Sequence, residues 1–506
     1  MAPSITCVDF GRAETGKYRS TRGGATGLSF EQAVFEGLAP DGGLMVPETV
    51  PDVSKIYKGW SKLKFHELAF EVASLFCSTD EVPSADLRQL MQRSYETFDH
   101  TEVVPSVKVN DLYVMELFHG PTFAFKDVAL QALGNLYEYF LKRNGKRLTV
   151  LGATSGDTGG AAIYGMRGKE NVDCFILFPE GRVSHIQQQQ MTSVLDDNVH
   201  CVAIKGTFDD CQDIVKELFA DLDFKKAYGL GAVNSINWAR IMFQITYYFY
   251  TYFKLFPSCD GEITFSVPTG NFGDILAGYY ARRMGLPVKN LIVATNSNDI
   301  LHRFFTNGKY DKYPVKQTMS PSMDIGISSN FERYLYDLFN HDAARLSKAM
   351  GDFKSTGKLH VEGEELSRAQ KDFVSACATE KHQADTIREY QQKFNYTLCP
   401  HTACGISAAE QLRGSLRWAS LPNHAMVVLG TAHPGKFADN VIQETGVQVK
   451  LPPALDKLMT AETRYEVLNN SAAEVRSAIE RNVQGGFSLM PNFLLSLLRK
   501  LPCCVR

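Results

Sequence analysis

The segment that decides the fold is LYVMELFHGPTFAFKDVALQALGNLYEYFLKRNGKRLTVLGATSGDTGG, at residues 112–160. Its apolar run at 112–117 predicts a buried strand, and the apolar spacing over 128–141 predicts a helix with one apolar face. A second apolar run, at 148–153, predicts another strand. A strand, a helix and a strand in this order form a unit with parallel strands, because the helix carries the chain back across the sheet.

Further apolar runs continue this alternation along the chain. They lie at residues 174–178, 201–204, 263–267, 291–294 and 426–429. Buried strands that alternate with amphipathic helices predict an α/β fold with parallel or mixed sheets flanked by helices. Residues 310–395 are more charged and helical, which indicates an insertion into this pattern.

The first part of the chain has a different character. Apolar residues with helical spacing at 30–38, 64–76 and 85–98 predict a mainly helical N-terminal domain. We therefore predict an N-terminal domain over residues 1–105 and a catalytic region over residues 106–506. The catalytic region is expected to consist of two α/β lobes and the helical insertion.

The composition limits the classes of function. The 506 residues carry a net charge of -3, which predicts no general attraction to nucleic acid or to an anionic membrane. The most apolar segment, at 241–256, contains Gln244 and Lys254, so a buried helix fits it better than a membrane span. The start of the chain lacks the apolar core of a signal peptide, and we expect a cytoplasmic protein.

The cysteines indicate a reducing compartment. There are eleven of them with no regular spacing, which predicts free thiols. Cys399, His401 and Cys404 bring potential metal ligands together, but no second pair stands at the spacing of a zinc site. We therefore predict core thiols and no bound metal.

Chemistry is expected where the strands end, since ligands of open α/β sheets bind at the carboxyl ends of the strands. The first such segment is HGPTFAFKD, residues 119–127, named here the Lys126 turn. A lysine desolvated beside a buried strand end has a lowered pKa and becomes a nucleophile or a Schiff-base former. The alternative, which is the commoner one for any single lysine, is pairing with Asp127 or extension of the side chain at a helix end.

The second segment is GATSGDTGG, residues 152–160, named the Asp157 turn. Ser155, Asp157 and Thr158 bring hydroxyls and free amides to a helix N-terminus, which favours anions. The turn has neither the lysine of a P-loop nor a Gly-x-Gly fingerprint, although Glu180 lies where a dinucleotide-binding fold has its ribose-binding acid. The alternative is an ordinary helix cap with small residues for close packing.

The third segment is PTGNFGD, residues 268–274, named the Gly270 turn. Gly270 and Gly273 allow backbone amides to surround a phosphate at a helix N-terminus. The alternative is a capping pair of Asn271, before the helix, and Asp274, at its third position. Both interpretations can hold, since Asp274 is expected to orient the turn rather than to meet a phosphate that it would repel.

The fourth segment is GTAHPGK, residues 430–436, named the Thr431 turn. Thr431 can hydrogen-bond a ring nitrogen, or it can be an ordinary threonine at a strand end. His433 is expected to cap or pack rather than to act as a base.

Together the four turns resemble the active-site segments of fold-type II pyridoxal-phosphate (PLP) enzymes. Within that group, HGPTFAFKDVALQ, TSGDTG, PTGNFGD and TAHPGKF are similar to motifs of the threonine synthase family in its fungal and bacterial form. YRSTRG and FEQAVFEGLAPDGGLMVPE are similar to that family's N-terminal domain. The resemblance runs from about residue 17 to about residue 445.

The resemblance implies roles for the four turns. Lys126 would hold PLP as a Schiff base and then move protons at Cα and Cβ of the substrate. Thr431 would meet the pyridine nitrogen. The cofactor phosphate would bind Gly270, Asn271, Phe272, Gly273 and Asp274, and the substrate carboxylate would bind Thr154, Ser155, Asp157 and Thr158. Cys399 departs from the pattern, because an acidic residue is expected there in relatives, and this leaves His401 without an assigned role.

The resemblance also implies a reaction, the conversion of O-phospho-L-homoserine and water to L-threonine and phosphate. This is the last step of threonine biosynthesis, and a monomeric or homodimeric enzyme is expected to carry it out. The substrate phosphate requires a second anion site. The hypothetical contributors are Arg19, Ser20, Thr21, Asn234, Asn237 and Arg240.

Two alternatives stay open at this point, and a third is inconsistent with the sequence. A phospho-lyase of the same family would release 2-oxobutyrate, phosphate and ammonia from the same substrate. A nucleotide- or NAD-dependent protein would use the Asp157 turn and would be colourless. A non-catalytic binding relative would have another residue in place of Lys126, which is present here.

Overall fold

The structure is a computed structural model that describes residues 16–154 and 156–483. Within the described residues the strands are β1 (Tyr18–Ser20), β2 (Met45–Pro47), β3 (Ser106–Val109), β4 (Leu112–Glu116), β5 (Leu148–Ala153), β6 (Val172–Pro179), β7 (Val199–Lys205), β8 (Leu230–Gly231), β9 (Glu262–Pro268), β10 (Val288–Thr295), β11 (Lys309–Asp311), β12 (Lys358–His360), β13 (Val374–Cys377), β14 (His424–Gly430) and β15 (Glu466–Asn469).

The α-helices of the same residues lie between these strands, except for the last helix, which follows the last strand. They are α1 (Phe30–Phe35), α2 (Phe65–Ser74), α3 (Ser84–Tyr95), α4 (Lys126–Asn144), α5 (Asp157–Met166), α6 (His185–Thr192), α7 (Phe208–Ala220), α8 (Leu222–Tyr228), α9 (Trp238–Leu255), α10 (Gly273–Arg283), α11 (Ile300–Asn307), α12 (Phe331–Leu338), α13 (Ala343–Thr356), α14 (Gly363–Asp372), α15 (Glu380–Phe394), α16 (Pro400–Gln411), α17 (Arg413–Leu416), α18 (Ala438–Thr445), α19 (Pro453–Leu458) and α20 (Ala472–Asn482).

The larger sheet has six strands in the order β13-β10-β9-β14-β4-β3. Its strands pair in parallel except β3 and β4, which form an antiparallel pair. The central strand β14 pairs with both β9 and β4, so Val427 lies opposite Phe265 and Tyr113. Three predicted strands, β4, β9 and β14, are therefore neighbours. The turns that follow these three strands therefore lie close together, at the end of the sheet formed by the carboxyl ends of its parallel strands.

The second sheet has five parallel strands in the order β15-β7-β6-β5-β8. Every residue of β6 is buried, as expected for a parallel strand covered by helices on both faces. The predicted runs at 148–153, 174–178 and 201–204 are all strands of this sheet. The α/β fold with parallel and mixed sheets is thus confirmed, while the domain boundary at residue 105 stays a prediction.

The three helices predicted for the first part of the chain are confirmed as α1, α2 and α3. The antiparallel pair of β1 and β2 accompanies them. Tyr18 of β1 contacts two other parts of the protein. Its hydroxyl donates to the carbonyl of Phe76 at 2.7 Å, and the centre of its ring lies 6.1 Å from that of Trp238 in α9.

The segment at 241–256 is confirmed as part of a buried helix. In α9 the residues from Trp238 to Phe253 are all buried. Among the described residues there is no helix with the length and apolar character needed to cross a membrane.

The four edge strands of the two sheets were not predicted from the sequence: β3 and β13 in the larger sheet, and β8 and β15 in the second sheet. The predicted insertion does contain α12 to α15, but it also contributes β13, which pairs with β10 at the edge of the larger sheet. The tail beyond residue 445, which had given no prediction, contributes β15 to the edge of the second sheet. None of the four edge strands is longer than four residues, which is too short for alternation or an apolar run to stand out.

Candidate active site

The Lys126 turn and the Thr431 turn lie side by side. The amide of Phe125 donates to the carbonyl of Thr431 at 2.9 Å, and the amide of His433 donates to the carbonyl of Phe123 at 3.0 Å. A further bond joins the amide of Leu117 to the carbonyl of Gly430 at 2.9 Å. These backbone bonds extend the pairing of β4 with β14 into the two turns and fix their relative position.

Lys126 is the first residue of α4 and is 8% exposed. Its Nζ lies 3.7 Å from Asp157 Oδ2 and 4.7 Å from the centre of the Phe125 ring. Burial lowers the pKa of Lys126, because the charged amine loses its hydration. Asp157 opposes this change, and Lys436 and Arg240 reinforce it. Lys126 therefore has the environment of a lysine that can be neutral in the folded protein.

Asp127 does not form the ion pair with Lys126 that the sequence left as an alternative. Its two carboxylate oxygens accept from Thr122, at 2.6 Å from the hydroxyl and 2.7 Å from the amide. Burial raises the pKa of Asp127 to about 6. A Cβ atom at Gly120 would lie 2.5 Å from the Cβ atom of Asp127, so the turn requires glycine at that position. Asp127 and Thr122 thus fix the shape of the Lys126 turn.

The Asp157 turn is built around the hydroxyl of Thr154. This hydroxyl accepts from the amides of Gly156 and Gly159, both at 2.9 Å, at the start of α5. Gly156 has a φ of 150°, and a Cβ atom there would lie 2.4 Å from Gln187 Oε1. Thr158 is half-buried, and Ser155 lies outside the described residues. The N-cap residue itself is Gly156, without a side-chain bond, so the ordinary cap of the alternative is absent and Thr154 binds the amides from two residues further back.

Asp157 is the electrostatic centre of the site. Its Oδ1 accepts from Lys436 Nζ at 2.8 Å and from Gln187 Nε2 at 3.0 Å, and its Oδ2 accepts from Ser322 Oγ at 3.3 Å. Burial opposes ionisation, but Lys436 and Lys126 outweigh it and hold the pKa of Asp157 well below its usual range. Sequence reasoning had selected Asp157 and missed its three polar partners.

The Gly270 turn leads into α10, which begins at Gly273 after Phe272 in a left-handed conformation, with a φ of 62°. The predicted capping pair is wrong, because the residue before the helix is Phe272 and no side chain caps it. The carbonyl of Asn271 accepts from the amide of Asn330 at 3.0 Å, and its Oδ1 accepts from Ser329 Oγ at 3.1 Å. Asn271 thus joins the turn to the segment before α12.

Asp274 is held by two tyrosines of α9. Its Oδ1 accepts from the hydroxyl of Tyr247 and, at 2.9 Å, from that of Tyr248. Burial raises the pKa of Asp274 to about 6, against the effect of both tyrosine bonds. Asp274 therefore attaches the start of α10 to α9 and so orients the turn.

The residues present fit PLP. The first amides of α10, from Gly273 onward, have no partners within the helix, so they can bind the cofactor phosphate. Lys126 supplies the buried amine. Thr431 is 6% exposed, and its Oγ1 has no hydrogen-bond partner among the described residues. A buried hydroxyl of this kind needs a polar partner, which a pyridine nitrogen can supply.

Arg240 is the one contributor to the hypothetical second anion site that has both burial and unused donors. It is 4% exposed, and its Nε and Nη1 have no partner in the described part of the chain. Burial lowers the pKa of Arg240 to about 10. An arginine buried in this way calls for an anion, and its charge also acts on Lys126.

Each of the other five hypothetical contributors already has at least one polar partner. Arg19 lies 3.7 Å from Glu48, Ser20 donates to Asp41 at 2.7 Å, and Thr21 donates to Glu332 at 2.7 Å. Asn237 caps α9 by accepting from the amide of Ala239 at 3.0 Å, and the Oδ1 of Asn234 accepts from the amide of Ile236 at 3.2 Å. Arg240 is therefore the residue that the hypothesis keeps, together with Asn234, whose bond to Ile236 uses only its Oδ1.

The cysteine and histidine cluster at the start of α16 shows no metal geometry. Cys399 caps this helix by accepting from the amide of Thr402 at 3.4 Å. His401 Nε2 accepts from the amide of Ser322 at 3.2 Å, and burial lowers the pKa of His401 to about 4. Among the described residues no three or more His, Cys, Asp or Glu side chains are placed so that they could hold a metal ion, and the eight described cysteines are free thiols.

His433 caps the short 3-10 helix Pro434–Phe437, because its Nδ1 accepts from the amide of Gly435 at 3.0 Å. Burial lowers the pKa of His433 to about 4. This confirms the expectation that His433 is a capping residue.

Comparison with known proteins agrees with the site. Residues 99–350 match the family described as "Pyridoxal-phosphate dependent enzyme", so the fold and the buried lysine define a PLP-dependent enzyme. The chain belongs to the threonine synthase family: residues 17–95 match "Threonine synthase N terminus" and residues 402–479 match "Threonine synthase, C-terminal". This finding overturns the nucleotide- or NAD-dependent alternative.

The similarity extends over most of the chain. It is 50% identical over 453 residues to a threonine synthase of Schizosaccharomyces pombe, covering 83% of this chain and 87% of the relative. It is 45% identical over 505 residues to a threonine synthase of Saccharomyces cerevisiae, covering 92% and 98%. A crystal structure of PLP-bound threonine synthase from Brucella melitensis superimposes with a TM-score of 0.89 at 45% identity, covering 93% of this chain and all of that chain.

Proposed function

We propose that this chain converts O-phospho-L-homoserine and water to L-threonine and phosphate. The observation that carries the proposal is the position of Lys126. This lysine is buried in a turn of the larger sheet, and its Nζ lies 3.7 Å from Asp157 in a turn of the second sheet. The relatives at 45–50% identity that are named threonine synthases support the same reaction.

Lys126 has two tasks in this proposal. It holds the cofactor, which when bound supplies an electron sink for the substrate atoms next to the imine. Once the substrate amine replaces it, the Lys126 amine takes protons from Cα and Cβ of the substrate and returns them at Cα and Cγ, so that Cγ becomes a methyl group after phosphate has left and Cβ carries the hydroxyl that water supplies. The buried position of Lys126 favours the neutral amine that a general base must be.

The anionic groups of substrate and cofactor are assigned to three sites. The amides of the Gly270 turn bind the cofactor phosphate, and the Asp157 turn, with Thr154, Ser155 and Thr158, receives the substrate carboxylate. Arg240 and Asn234 bind the substrate phosphate, which leaves from Cγ before water adds at Cβ. The support is chemical, since helix N-termini and a buried unpaired guanidinium both favour anions.

Thr431 is assigned to the ring nitrogen of the cofactor. A hydroxyl is a neutral partner, so it does not add the negative charge that a carboxylate would bring to this position. The hydrogen bond from the Phe125 amide to the Thr431 carbonyl supports the assignment, because it holds Thr431 next to the lysine that carries the cofactor.

The runner-up is a phospho-lyase that would release 2-oxobutyrate, phosphate and ammonia. The relatives at 45–50% identity are named threonine synthases, and these names do not favour the phospho-lyase. The test is to supply the purified, cofactor-loaded protein with O-phospho-L-homoserine and to quantify phosphate, L-threonine and 2-oxobutyrate. We expect threonine and phosphate in equal amounts, and 2-oxobutyrate as the sole organic product would overturn the proposal.

We also propose that the enzyme acts in the cytoplasm on this small-molecule substrate, without a nucleic-acid or membrane partner, as a monomer or homodimer. The net charge of -3 and the free thiols of the described cysteines support this environment. Fractionation of the source cells and light scattering of the purified protein test it. A membrane-bound pool or a larger assembly would contradict it.

A further inference from the structure

Lys436 ends the Thr431 turn, but no role was predicted for it from the sequence. Its side chain is fully buried, and its Nζ donates to Asp157 Oδ1 and to the carbonyl of Thr122, both at 2.8 Å. Lys436 lies in the 3-10 helix that ends the Thr431 turn. One ammonium group thus connects the Thr431 turn with the Lys126 turn and the Asp157 turn.

We propose that Lys436 is a positioning residue, a permanent counter-ion that keeps Asp157 ionised and in place while Lys126 changes its charge. The proposal rests on the proposed function, because it assumes that Lys126 carries the cofactor and acts as a base. It assigns Lys436 no contact with the substrate.

The electrostatic reason lies in the number of charges around Asp157. This buried carboxylate has two ammonium groups near it, Lys436 at 2.8 Å and Lys126 at 3.7 Å. When Lys126 is neutral, only Lys436 still balances Asp157. A buried charge without a partner is strongly destabilised, so a site with Lys126 as the only counter-ion would oppose its deprotonation. Lys436 removes that opposition.

Lys436 has a second consequence for the substrate. The Asp157 turn is the proposed site of the substrate carboxylate, and an uncompensated Asp157 would repel a second carboxylate. The contact between Lys436 and Asp157 Oδ1 neutralises this charge locally. Gln187 and Ser322 complete the polar shell with uncharged donors, so they cannot take over this role.

The charged and titratable groups around the pair are few. Lys126, Lys436 and His401 act on Asp157, and burial keeps His401 neutral by lowering its pKa to about 4. Arg240 and Asp127 act on Lys126 in addition. Because Lys436 is the cation in direct contact with Asp157, we expect its removal to dominate any change in the protonation of the Lys126 site.

The experiment uses the cofactor-loaded protein without substrate and follows its visible absorbance against pH. The variants are Lys436→Met, Lys436→Arg, Asp157→Asn and the double variant Asp157→Asn with Lys436→Met. The exposed Lys450 supplies the matched control, Lys450→Met. Thermal unfolding checks that each variant is folded.

We expect Lys436→Met to move the spectroscopic transition to higher pH by about 1 unit or more, since it leaves Asp157 to stabilise the protonated form. Lys436→Arg is expected to titrate close to wild type because it keeps the charge. The double variant removes both charges, so the pH of its spectroscopic transition is expected to return most of the way to the wild-type value. In steady-state assays, Lys436→Met is expected to raise KM for O-phospho-L-homoserine about tenfold or more and Lys436→Arg much less.

An unshifted transition in Lys436→Met, or the absence of any transition in all variants, would overturn the proposal. A shift of equal size in the single and double variants would also overturn it, because the effect would not pass through Asp157. If Lys436→Met does not fold, the spectroscopic transitions of Lys436→Arg and of the double variant are compared with that of the wild type against the same expectations. A wild-type protein that forms no threonine while the shifts occur as expected would contradict the proposed function and leave the role of Lys436 intact.

Discussion

The amide of Phe125 donates a hydrogen bond to the carbonyl of Thr431 at 2.9 Å. This bond places the residue before Lys126 against the residue proposed to meet the cofactor ring, although the two lie far apart in the sequence. The amine and the hydroxyl are therefore positioned by backbone, which is more rigid than side-chain packing alone. The variants below separate the contributions of the residues around this bond.

Replacing Lys126 with alanine is expected to abolish covalent attachment of PLP. The protein should lose its yellow colour on dialysis, and turnover should fall by about 10² to 10⁴ or more, because both the anchor and the base are lost. Borohydride reduction followed by peptide mapping should place the label on Lys126 in the wild type. Lys142→Ala, at the exposed end of the same helix, is the control and should keep colour and activity. A label on another lysine would contradict the assignment.

Replacing Thr431 with valine is expected to alter the cofactor without unfolding the protein. The Thr431 hydroxyl is buried without a partner among the described residues, so its loss should not lower the stability of the cofactor-free form. The absorbance maximum and the affinity for PLP should change, because the ring nitrogen loses its partner. Thr251→Val is the matched control, since its buried hydroxyl also has no described partner but lies in α9. Equal effects of the two variants on the spectrum would argue against the role of Thr431.

Replacing Arg240 with methionine is expected to raise KM for O-phospho-L-homoserine by about 100-fold, because a charge-assisted contact with the substrate phosphate is lost. The spectrum of bound PLP should change little. The variant should be at least as stable as the wild type, since two buried donors lack partners there. Arg333→Met is the contrasting control.

Arg333 is equally buried but fully engaged, with donors at 2.5 to 2.9 Å from Asn330, Ile236 and Met45. Its replacement should lower the free energy of unfolding. Loss of stability in Arg240→Met, or an unchanged KM, would show that Arg240 has a structural role instead.

Replacing Asp274 with asparagine is expected to change how stability depends on pH. Burial raises the pKa of Asp274 to about 6 in the folded protein, above about 3.9 in the unfolded chain. The unfolded state therefore ionises first as pH rises, and wild type loses stability relative to the variant between about pH 4 and pH 6. The full difference is about 2–3 kcal/mol. Urea unfolding of the cofactor-free proteins at pH 4, 5, 6 and 7 measures it, and parallel curves would contradict the expectation.

Replacing Tyr248 with phenylalanine is expected to loosen the Gly270 turn. One of the two hydroxyls that hold Asp274 Oδ1 is lost, at a cost of about 1–3 kcal/mol, and PLP should bind more weakly. Tyr252→Phe is the control, because its hydroxyl donates to the carbonyl of Gly261 at 3.0 Å, outside the four turns. It should lower stability without changing the affinity for PLP, and identical effects would contradict the link from Asp274 to the cofactor.

The interior strands of both sheets could be predicted because each is a buried apolar run between turn signals. The edge strands β13 and β15 could not, because a strand of four residues becomes a strand only when a neighbour supplies hydrogen bonds. The residues of the site also differ in whether a local signal in the sequence marks them. Lys126, Asp157 and Thr431 stand in turns with recognisable local chemistry, whereas Ser322 and Gln187 stand in segments without any such signal.

By itself the sequence determined the α/β class, the four turns and their family, because apolar periodicity and turn chemistry are local properties of the chain. Only the tertiary structure decided which charges meet. It paired Lys126 and Lys436 with Asp157, left Asp127 to Thr122, and gave Asp274 to two tyrosines of α9. These choices depend on which distant segments pack together and on how much water remains between them, and neither quantity is written in any single stretch of residues.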